Sequence, residues 1–145
     1  EFAKNVCNLP DAYSTEFDEH CKDPIISLLE DQQDLELMGG TMRLGAWPCD
    51  LQANTMAAEI YGEEHISERH RHRYEVNNDY RECLISNGMV LSGTSMKNIL
   101  CEIVEIPSHP FYIGVQFHPE FKSRPMEPHP VFKAFVGAAV KKKSK

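Results

Sequence analysis

The pattern of apolar and polar residues changes its period many times along the chain, which predicts short helices and strands in mixed order. Strand-like runs lie at residues 24–29, 41–49, 69–76, 89–93, 99–106 and 111–117. Helix-like runs lie at residues 2–8, 52–61, 78–87 and 128–140. The last run predicts an amphipathic helix, because its apolar residues fall near one helical stripe.

Turn-forming residues separate these runs. Residues 9–23 are polar and turn-rich and predict a loop, and an acidic stretch at 30–36 precedes a turn at Gly39-Gly40. Pro48 predicts a break in the second strand, and Gly62 fits the C-cap of the second helix. No repeat or low-complexity linker divides the chain, so the pattern predicts one mixed α/β unit.

Composition narrows the class of protein. The chain has 145 residues, of which 41% are apolar and 26% charged, so it can build the core of one domain and is not intrinsically disordered. No apolar run approaches the roughly 18–20 residues that span a bilayer. The net charge of −7 argues against nucleic acid as the main partner. The basic residues at 141–145 fit a solvated helix end, where cations complement the helix dipole, better than a nucleic-acid patch.

Cysteine usage bears on the compartment. The chain has five widely spaced cysteines, Cys7, Cys21, Cys49, Cys83 and Cys101. No C-x-x-C pair is present, so neighbouring cysteines cannot form a zinc knuckle or a thioredoxin-type redox site. Free thiols in a reducing compartment are the simplest interpretation. The residues from Glu1 onward are charged and lack the apolar segment of a signal peptide, so we expect a cytoplasmic protein.

The first candidate site is the segment Gln116-Phe117-His118-Pro119-Glu120, which follows an apolar strand. Strands of α/β sheets present functional side chains at their carboxyl ends. In an extended segment His118 and Glu120 point to the same side, with Cα atoms roughly 6.5–7 Å apart. The carboxylate can then bond one imidazole nitrogen, which makes His118 a candidate general base and Glu120 the group that orients it. A surface turn at a strand end is the alternative interpretation.

The second candidate site is an unusual alternation of three arginines and two histidines at residues 69–73. If the segment is extended, the arginines share one face and the histidines the other. Guanidinium groups bind carboxylates and phosphates in a bidentate way, so the arginine face predicts an anionic ligand. A metal site at the histidines is less favoured, because neighbouring cations oppose a metal ion and no third ligand is evident. Arginines that pair with the protein's own acidic residues are an equally open alternative.

The third candidate is the glycine-bracketed segment at residues 38–45, Met-Gly-Gly-Thr-Met-Arg-Leu-Gly. It contains Arg43 and could form a mobile loop over a site. It is not a phosphate-binding P-loop, since it lacks G-x-x-x-x-G-K. A tight turn that enters a strand is the alternative.

Together these segments resemble the C-terminal glutaminase domain of the CTP synthase family, a class I (triad) glutamine amidotransferase. H-P-E alone indicates class I glutaminases in general, whereas R-H-R-H-R-Y-E-V-N at 69–77 and G-G-T-M-R-L-G at 39–45 are narrower. The resemblance covers residues 1–138 and leaves 139–145 as a basic C-terminal tail. It implies an α/β fold, the flavodoxin-like sheet of class I glutamine amidotransferases with flanking helices, without its N-terminal strands.

The resemblance also implies roles for single residues. The family hydrolyses glutamine with a Cys-His-Glu triad, in which His118 matches the base and Glu120 its orienting acid. Glu16 matches the ligand for the amino group of glutamine, and Arg73 matches the ligand for its α-carboxylate. Arg43 lies in a segment that resembles the family's GTP-responsive lid.

The resemblance further implies how the parent enzyme works. Ammonia from glutamine passes to a synthase domain of the same enzyme, which uses it for the ATP-dependent amination of UTP to CTP in pyrimidine biosynthesis. ATP and Mg²⁺ belong to that domain, GTP acts as an activator, and this segment itself is expected to hold no metal or cofactor. We expect the parent enzyme to be a homo-oligomer, with neither nucleic acid nor membrane as a partner.

One part of the family's site has no match in the sequence. The family's nucleophile lies in a G-x-C-x-G-M-Q elbow, and none of the five cysteines has flanking glycines. Residues 1–8 resemble the later part of the helix that follows the nucleophile. We therefore expect the segment to begin just downstream of its catalytic cysteine and to be inactive alone. The alternatives are a non-catalytic glutamine-binding or regulatory module and a metal-binding protein built on His65, His70, His72 and His118.

Overall fold

The computed structural model describes residues 1–28, 42–95 and 100–143. Its helices are α1 (Phe2–Asn5), α2 (Met56–Tyr61), α3 (Arg81–Ser86) and α4 (Pro130–Lys143). Its strands are β1 (Ala12–Ser14), β2 (Asp23–Ser27), β3 (Arg43–Leu51), β4 (His65–His72), β5 (Glu75–Val76), β6 (Val90–Thr94), β7 (Cys101–Glu105) and β8 (Ile113–Val115). Short 3₁₀ turns lie at Asn78–Tyr80 and Pro119–Phe121. Of the helices in these ranges, none is long and apolar enough to cross a membrane.

Two sheets organise the strands. The larger has five strands in the order β4-β3-β6-β7-β8, and every neighbouring pair in it is antiparallel. The smaller has three strands in the order β1-β2-β5, with β1 parallel and β5 antiparallel to β2. Helices flank these strands, in agreement with the mixed α/β class that the sequence predicts.

Two apolar clusters hold the elements together. The first joins β3, β4, β7, α2 and the segment after β8, through Cys49, Leu51, Ala57, Ile66, Ile103 and Phe117. The second joins α1, β1 and α3 with the residue before β6, through Ala3, Ala12, Leu84 and Met89. Close packing in the first cluster requires Gly93 in β6, because a Cβ there would lie 2.6 Å from Ile103 Cγ1 and 2.9 Å from Cys49 Sγ.

Helix α2 is short and is held at both ends. At its start the Thr55 hydroxyl accepts a hydrogen bond from the Ala58 amide, and the buried Glu105 carboxylate accepts from Met56 (2.9 Å) and Ala57 (2.7 Å). These acceptors satisfy amides that have no partner within the helix. At its end Gly62 takes the left-handed conformation, φ +68°, as predicted for a C-cap. The helix begins at Met56, later than the predicted start at residue 52.

The structure differs from the sequence predictions in several places. The predicted loop at 9–23 contains the short strand β1, which pairs with β2. The predicted strand at 69–76 is two strands, β4 and β5, and β4 already begins at His65. Helix α4 runs from Pro130 to Lys143, whereas the pattern predicted a helix over 128–140. The acidic stretch at 30–36 and the turn at Gly39-Gly40 lie outside the described residues.

Strand β3 is also continuous through Pro48, where a break was expected. Proline lacks the amide hydrogen that a strand interior needs on one side. Among the described strands, β6 pairs with β3 only at Asp50 and Leu51, so no neighbour on that side requires an amide from Pro48. The proline is therefore tolerated at an open stretch of the sheet.

Candidate active site

The segment after β8 carries the first candidate pair, His118 and Glu120. Main-chain hydrogen bonds of 2.9 Å join the Gln116 amide to the Glu102 carbonyl and the His118 amide to the Arg69 carbonyl. Pro119 then begins a 3₁₀ turn that brings the Glu120 carboxylate back onto the imidazole. His118 Nδ1 lies 2.6 Å from Glu120 Oε1, so the contact expected between them is present.

The surroundings of this pair fix its protonation and orientation. The hydrogen bond from the imidazole lowers the pKa of Glu120, so this group is a carboxylate at neutral pH. A carboxylate at Nδ1 favours the tautomer with a hydrogen on that nitrogen and leaves Nε2 to accept a proton. The Phe121 ring stacks on His118 with centroids 5.0 Å apart. With side-chain exposures of 39% and 55%, His118 and Glu120 remain open to a ligand.

Strand β4 places the predicted arginine face beside this pair. Arg69 and Arg71 are exposed, while His70 is buried on the opposite face of the strand, as the alternation predicts. The Arg69 carbonyl accepts the His118 amide hydrogen, so the arginine face begins next to the candidate base. Arg73 is exposed and follows the last residue of β4.

Glu16 and Arg73 lie at the same end of the smaller sheet. Ser14 at the carboxyl end of β1 pairs with Ile26 in β2, which pairs with Val76 in β5. Because β5 runs antiparallel to β2, its amino end meets the carboxyl ends of β1 and β2. Glu16 follows β1 in an exposed turn, where its amide donates to the Ser14 hydroxyl over 3.2 Å, and Arg73 precedes β5. A carboxylate and a guanidinium therefore lie at the same end of this sheet, next to the two strands that flank β2.

Arg43 does not have the placement expected of a lid residue. It is the first residue of β3, and its side chain is only 2% exposed. Its guanidinium donates to Glu75 (3.2 Å) and Glu102 (2.7 Å) and lies over the Trp47 ring. Two buried carboxylates hold the cation inside the protein, so a turn that enters a strand is the interpretation that fits Arg43. Residues 38–41 of the same segment lie outside the described residues.

Sequence reasoning missed the buried polar network around Arg43. Glu75 accepts hydrogen bonds from Arg43, from His72 Nε2 (2.9 Å) and from Gln116 Nε2 (3.1 Å). Burial raises the pKa of Glu102, an effect that Arg43 opposes. The pattern of β4 contained a signal of this network, because three of its four inward positions, Glu68, His70 and His72, are polar where a half-buried strand normally carries apolar residues.

His70 lies in the same network without a hydrogen-bond partner for either ring nitrogen in the described residues. Its Nε2 is 3.6 Å from Glu102 Oε2. Burial, followed by the charge of Arg43, lowers the pKa of His70 to about 3, so the ring is neutral and forms no ion pair with Glu102. His70 is therefore a core histidine and not an anion ligand.

A second buried cluster centres on Glu68 and was also missed. Its carboxylate accepts from Tyr61 (3.0 Å) and from His129 Nε2 (2.9 Å), and Lys122 Nζ lies 3.5 Å away. Burial and the Glu68 carboxylate raise the pKa of Tyr61. The cluster borders a cleft of about 630 Å³ and joins α2, β4 and the start of α4. It ties these three elements together beneath the arginine face.

The histidines do not assemble a metal site in the part of the chain that the structure describes. No group of three His, Cys, Asp or Glu side chains there is placed to hold a metal ion. His65 pairs with Asp50 at the start of β4, whereas His70 and His72 face the interior near its end and His118 bonds Glu120. Their placement gives the metal-binding alternative no support.

None of the five cysteines, all of which are described, lies at a strand-to-helix turn between glycines. Burial raises the pKa of Cys49 in β3 and of Cys101 in β7 to about 12. Burial also raises the pKa of Cys7, whose thiol donates to the Cys83 carbonyl over 3.8 Å. Cys83 lies in α3, and Cys21 lies in the loop before β2. Three of the thiols are thus held in the protonated form.

Comparisons with known proteins indicate the family to which the chain is related. CTP synthases of Geotalea uraniireducens and Rubrobacter xylanophilus are 58% and 60% identical to the chain, each over 140 residues. Each alignment covers 97% of this chain but 26% and 25% of the relative, so the chain spans about a quarter of their length. The Trypanosoma brucei CTPS glutaminase domain with bound acivicin is 36% identical with a TM-score of 0.88, covering 97% of this chain and 55% of that one.

These similarities confirm the resemblance and the fold class that the motifs implied. A family model described as glutamine amidotransferase class-I matches residues 7–138, which is most of the chain. The described strands and helices match those of a solved glutaminase domain over nearly the whole chain. The chain therefore belongs to the class-I glutamine amidotransferase family.

Proposed function

We propose that this chain is the distal part of the glutaminase domain of a CTP synthase. In the parent enzyme it would take part in hydrolysing glutamine, to supply ammonia for the ATP-dependent amination of UTP to CTP. The observation that carries the proposal is the 2.6 Å contact between His118 and Glu120, beside an arginine face, in a chain 58% identical to an enzyme named CTP synthase.

The proposed role of His118 is that of the triad base. Its Nε2 takes the proton of the nucleophilic thiol and returns it to the departing ammonia, and the resulting thioester is then hydrolysed by water. Glu120 accepts the Nδ1 hydrogen and stabilises the imidazolium that forms between these steps. Its lowered pKa supports this role, because the group is then a carboxylate at neutral pH.

The proposed roles of Glu16 and Arg73 concern the α-carbon of glutamine, which carries one positive and one negative group. Arg73 would bind the α-carboxylate and Glu16 the α-ammonium group. Their position at the same end of the smaller sheet supports this pairing. Arg43 has no such role in the proposal, because it is buried between two carboxylates.

We also propose that none of the five cysteines is the nucleophile and that residues 1–145 alone do not hydrolyse glutamine. The raised pKa values of Cys7, Cys49 and Cys101 support this, because the attacking species must be a thiolate. The same observation favours the second candidate function, a glutamine-binding or regulatory module without catalysis.

The rest of the proposal follows the longer relatives. ATP, Mg²⁺ and UTP would bind to the synthase domain, GTP would activate the enzyme, and the parent would be a homo-oligomer. The five free thiols support a cytoplasmic location.

The proposal is tested with His118→Ala in the full-length protein that contains this chain. We expect glutamine-dependent CTP formation to fall about 10³-fold or more, because the base of the triad is lost. CTP formation from added ammonium chloride should be unchanged, because the synthase domain needs no glutaminase when ammonia is supplied. The matched control is His65→Ala, an exposed histidine at the far end of β4, which should keep both activities.

Three outcomes would contradict parts of the proposal. Glutamine-dependent synthesis that survives His118→Ala would remove His118 as the base. Glutamine binding without hydrolysis by the full-length wild type would favour the regulatory module. Ammonia release by residues 1–145, lost on mutation of a single cysteine, would identify a nucleophile within the chain.

A further inference from the structure

We propose that Glu75 and Gln116 form a positioning pair that couples the Arg73 loop to the segment carrying His118. This inference rests on the proposed glutaminase function. The residues of that function involve both sheets, since Glu16 follows β1 of the smaller sheet, His118 follows the larger one, and Arg73 lies between β4 and β5. A glutaminase needs them in one fixed arrangement, so a contact between the sheets has a catalytic consequence.

Glu75 provides that contact. It belongs to β5 of the smaller sheet, yet its three hydrogen-bond donors come from the larger one. Arg43 begins β3, His72 ends β4, and Gln116 follows β8. With 1% exposure, the Glu75 carboxylate depends on these donors in place of water.

The two oxygens of the Glu75 carboxylate accept hydrogen bonds from different elements. Oε1 accepts from Arg43 (3.2 Å) and His72 (2.9 Å), whereas Oε2 accepts from Gln116 Nε2 (3.1 Å). The first oxygen therefore holds Glu75 to β3 and β4. The second oxygen holds Glu75 to the segment that leads to the candidate base.

The chain on each side of this hydrogen bond is short. Arg73 is two residues before Glu75, and His118 is two residues after Gln116. The neighbouring main chain is fixed as well, because the Asn77 amide donates to Ile25 (2.8 Å) and the His118 amide to Arg69 (2.9 Å). Because so few residues intervene, a change in the Glu75–Gln116 contact should change the positions of both Arg73 and His118.

The first variant is Gln116→Met in the full-length protein, which keeps the side-chain length and removes the donor to Oε2. We expect kcat/KM for glutamine hydrolysis to fall about tenfold or more, because a hydrogen bond to a buried charged group is lost. KM for glutamine should rise and kcat should fall, since the pair connects a binding residue with the base. Ammonium-dependent CTP formation should be unchanged.

The matched control is Tyr61→Phe, which also removes one donor to a buried glutamate, the 3.0 Å bond to Glu68. This variant should shift the thermal midpoint about as much as Gln116→Met and leave both glutamine constants within about threefold of wild type. Equal losses of kcat/KM in the two variants would show a merely structural role and overturn the inference.

A charge swap tests the pair itself. Gln116→Glu places a second carboxylate against Glu75, and the double variant Glu75→Gln/Gln116→Glu restores one donor and one acceptor in reverse order. We expect the double variant to exceed Gln116→Glu at least about tenfold in kcat/KM for glutamine. No rescue, together with unchanged constants for Gln116→Met, would overturn the inference while leaving the proposed function intact. A wild-type protein that hydrolyses no glutamine would overturn both.

Discussion

The two faces of β4 differ in chemistry although they belong to the same eight residues. Arg69 and Arg71 point outward and are exposed, and the Arg69 carbonyl accepts the amide hydrogen of the candidate base His118. Glu68 and His70 point inward and are buried among other polar side chains. The outward face is accessible to a ligand, whereas the side chains of the inward face contact other residues of the protein.

The inward face shows how a polar interior can be stable. Each buried carboxylate accepts hydrogen bonds from neighbouring elements: Glu68 from α2 and the start of α4, Glu75 and Glu102 from Arg43 in β3. Such groups cost free energy wherever a partner is missing, so they favour one arrangement of strands over its alternatives. The inward face thus fixes where the outward face presents its arginines.

Replacing Arg43 should have the largest effect on stability. In Arg43→Met two buried carboxylates, Glu75 and Glu102, lose their common cation, which we expect to lower the free energy of unfolding by about 3–5 kcal/mol. Native-state hydrogen exchange of the β3 and β4 amides, in the full-length protein, measures the change. Arg71→Met on the outward face is the matched control and should cost less than about 0.5 kcal/mol. Equal protection in both variants would contradict the contrast between the faces.

The same contrast explains which parts of the site the sequence could predict. The contact between His118 and Glu120 was expected because the two residues are close in sequence, but the backbone differs from the extended segment that was predicted, since the 3₁₀ turn at Pro119–Phe121 brings the carboxylate to the imidazole. The outward arginines followed from the alternation of a strand. Strand positions from 89 to 117 were also close to those observed, because runs rich in Val and Ile between turn residues predict strands well.

The parts that were missed depend on partners far away in sequence. Arg43 was expected in a lid because its neighbours are glycines, but its partners, Glu75 and Glu102, are 32 and 59 residues away. Strand β1 has only three residues and exists because β2 pairs with it. Continuity of β3 through Pro48 likewise depends on where β6 pairs. Tertiary contacts decided each of these cases, and no local pattern contains them.

A pH titration should show the second-largest effect and concerns His70. Its pKa is about 3 in the folded protein against 6.5 for an ordinary histidine, so between these values the unfolded chain binds a proton that the folded chain does not. Stability is therefore full above pH 6.5 and is lost as the pH falls toward 3. Between pH 7 and pH 5 we expect a loss of about 2 kcal/mol.

The matched variant for this titration is His70→Leu, which has a similar size and no titrating group. Neither ring nitrogen of His70 has a hydrogen-bond partner among the described residues, so the substitution by leucine removes no hydrogen bond seen there. Hydrogen-exchange protection of the β4 amides, corrected for the intrinsic exchange rate, reports the free energy of unfolding. Between pH 7 and pH 5 this free energy should fall by about 2 kcal/mol less in the variant than in the wild type. Identical pH dependence in variant and wild type would show that His70 is not the group that titrates on unfolding.

The smallest effect is expected at the exposed start of the same strand. His65 Nδ1 lies 2.8 Å from Asp50 Oδ1, and His72 Nε2 lies 2.9 Å from Glu75 Oε1 at the other end, so the two contacts are nearly equal in length. Their exposures differ, because the His65 and Asp50 side chains are 77% and 45% exposed and those of His72 and Glu75 are 15% and 1% exposed. Water therefore replaces the first contact at little cost, and His65→Leu should change stability by less than about 0.5 kcal/mol. His72→Leu should cost more, about 1–3 kcal/mol, since the buried Glu75 carboxylate loses a donor that water does not replace. Hydrogen exchange of the amides at both ends of β4 measures the stability change in each variant. Equal losses of stability would mean that burial does not make the His72–Glu75 contact stronger than the His65–Asp50 contact.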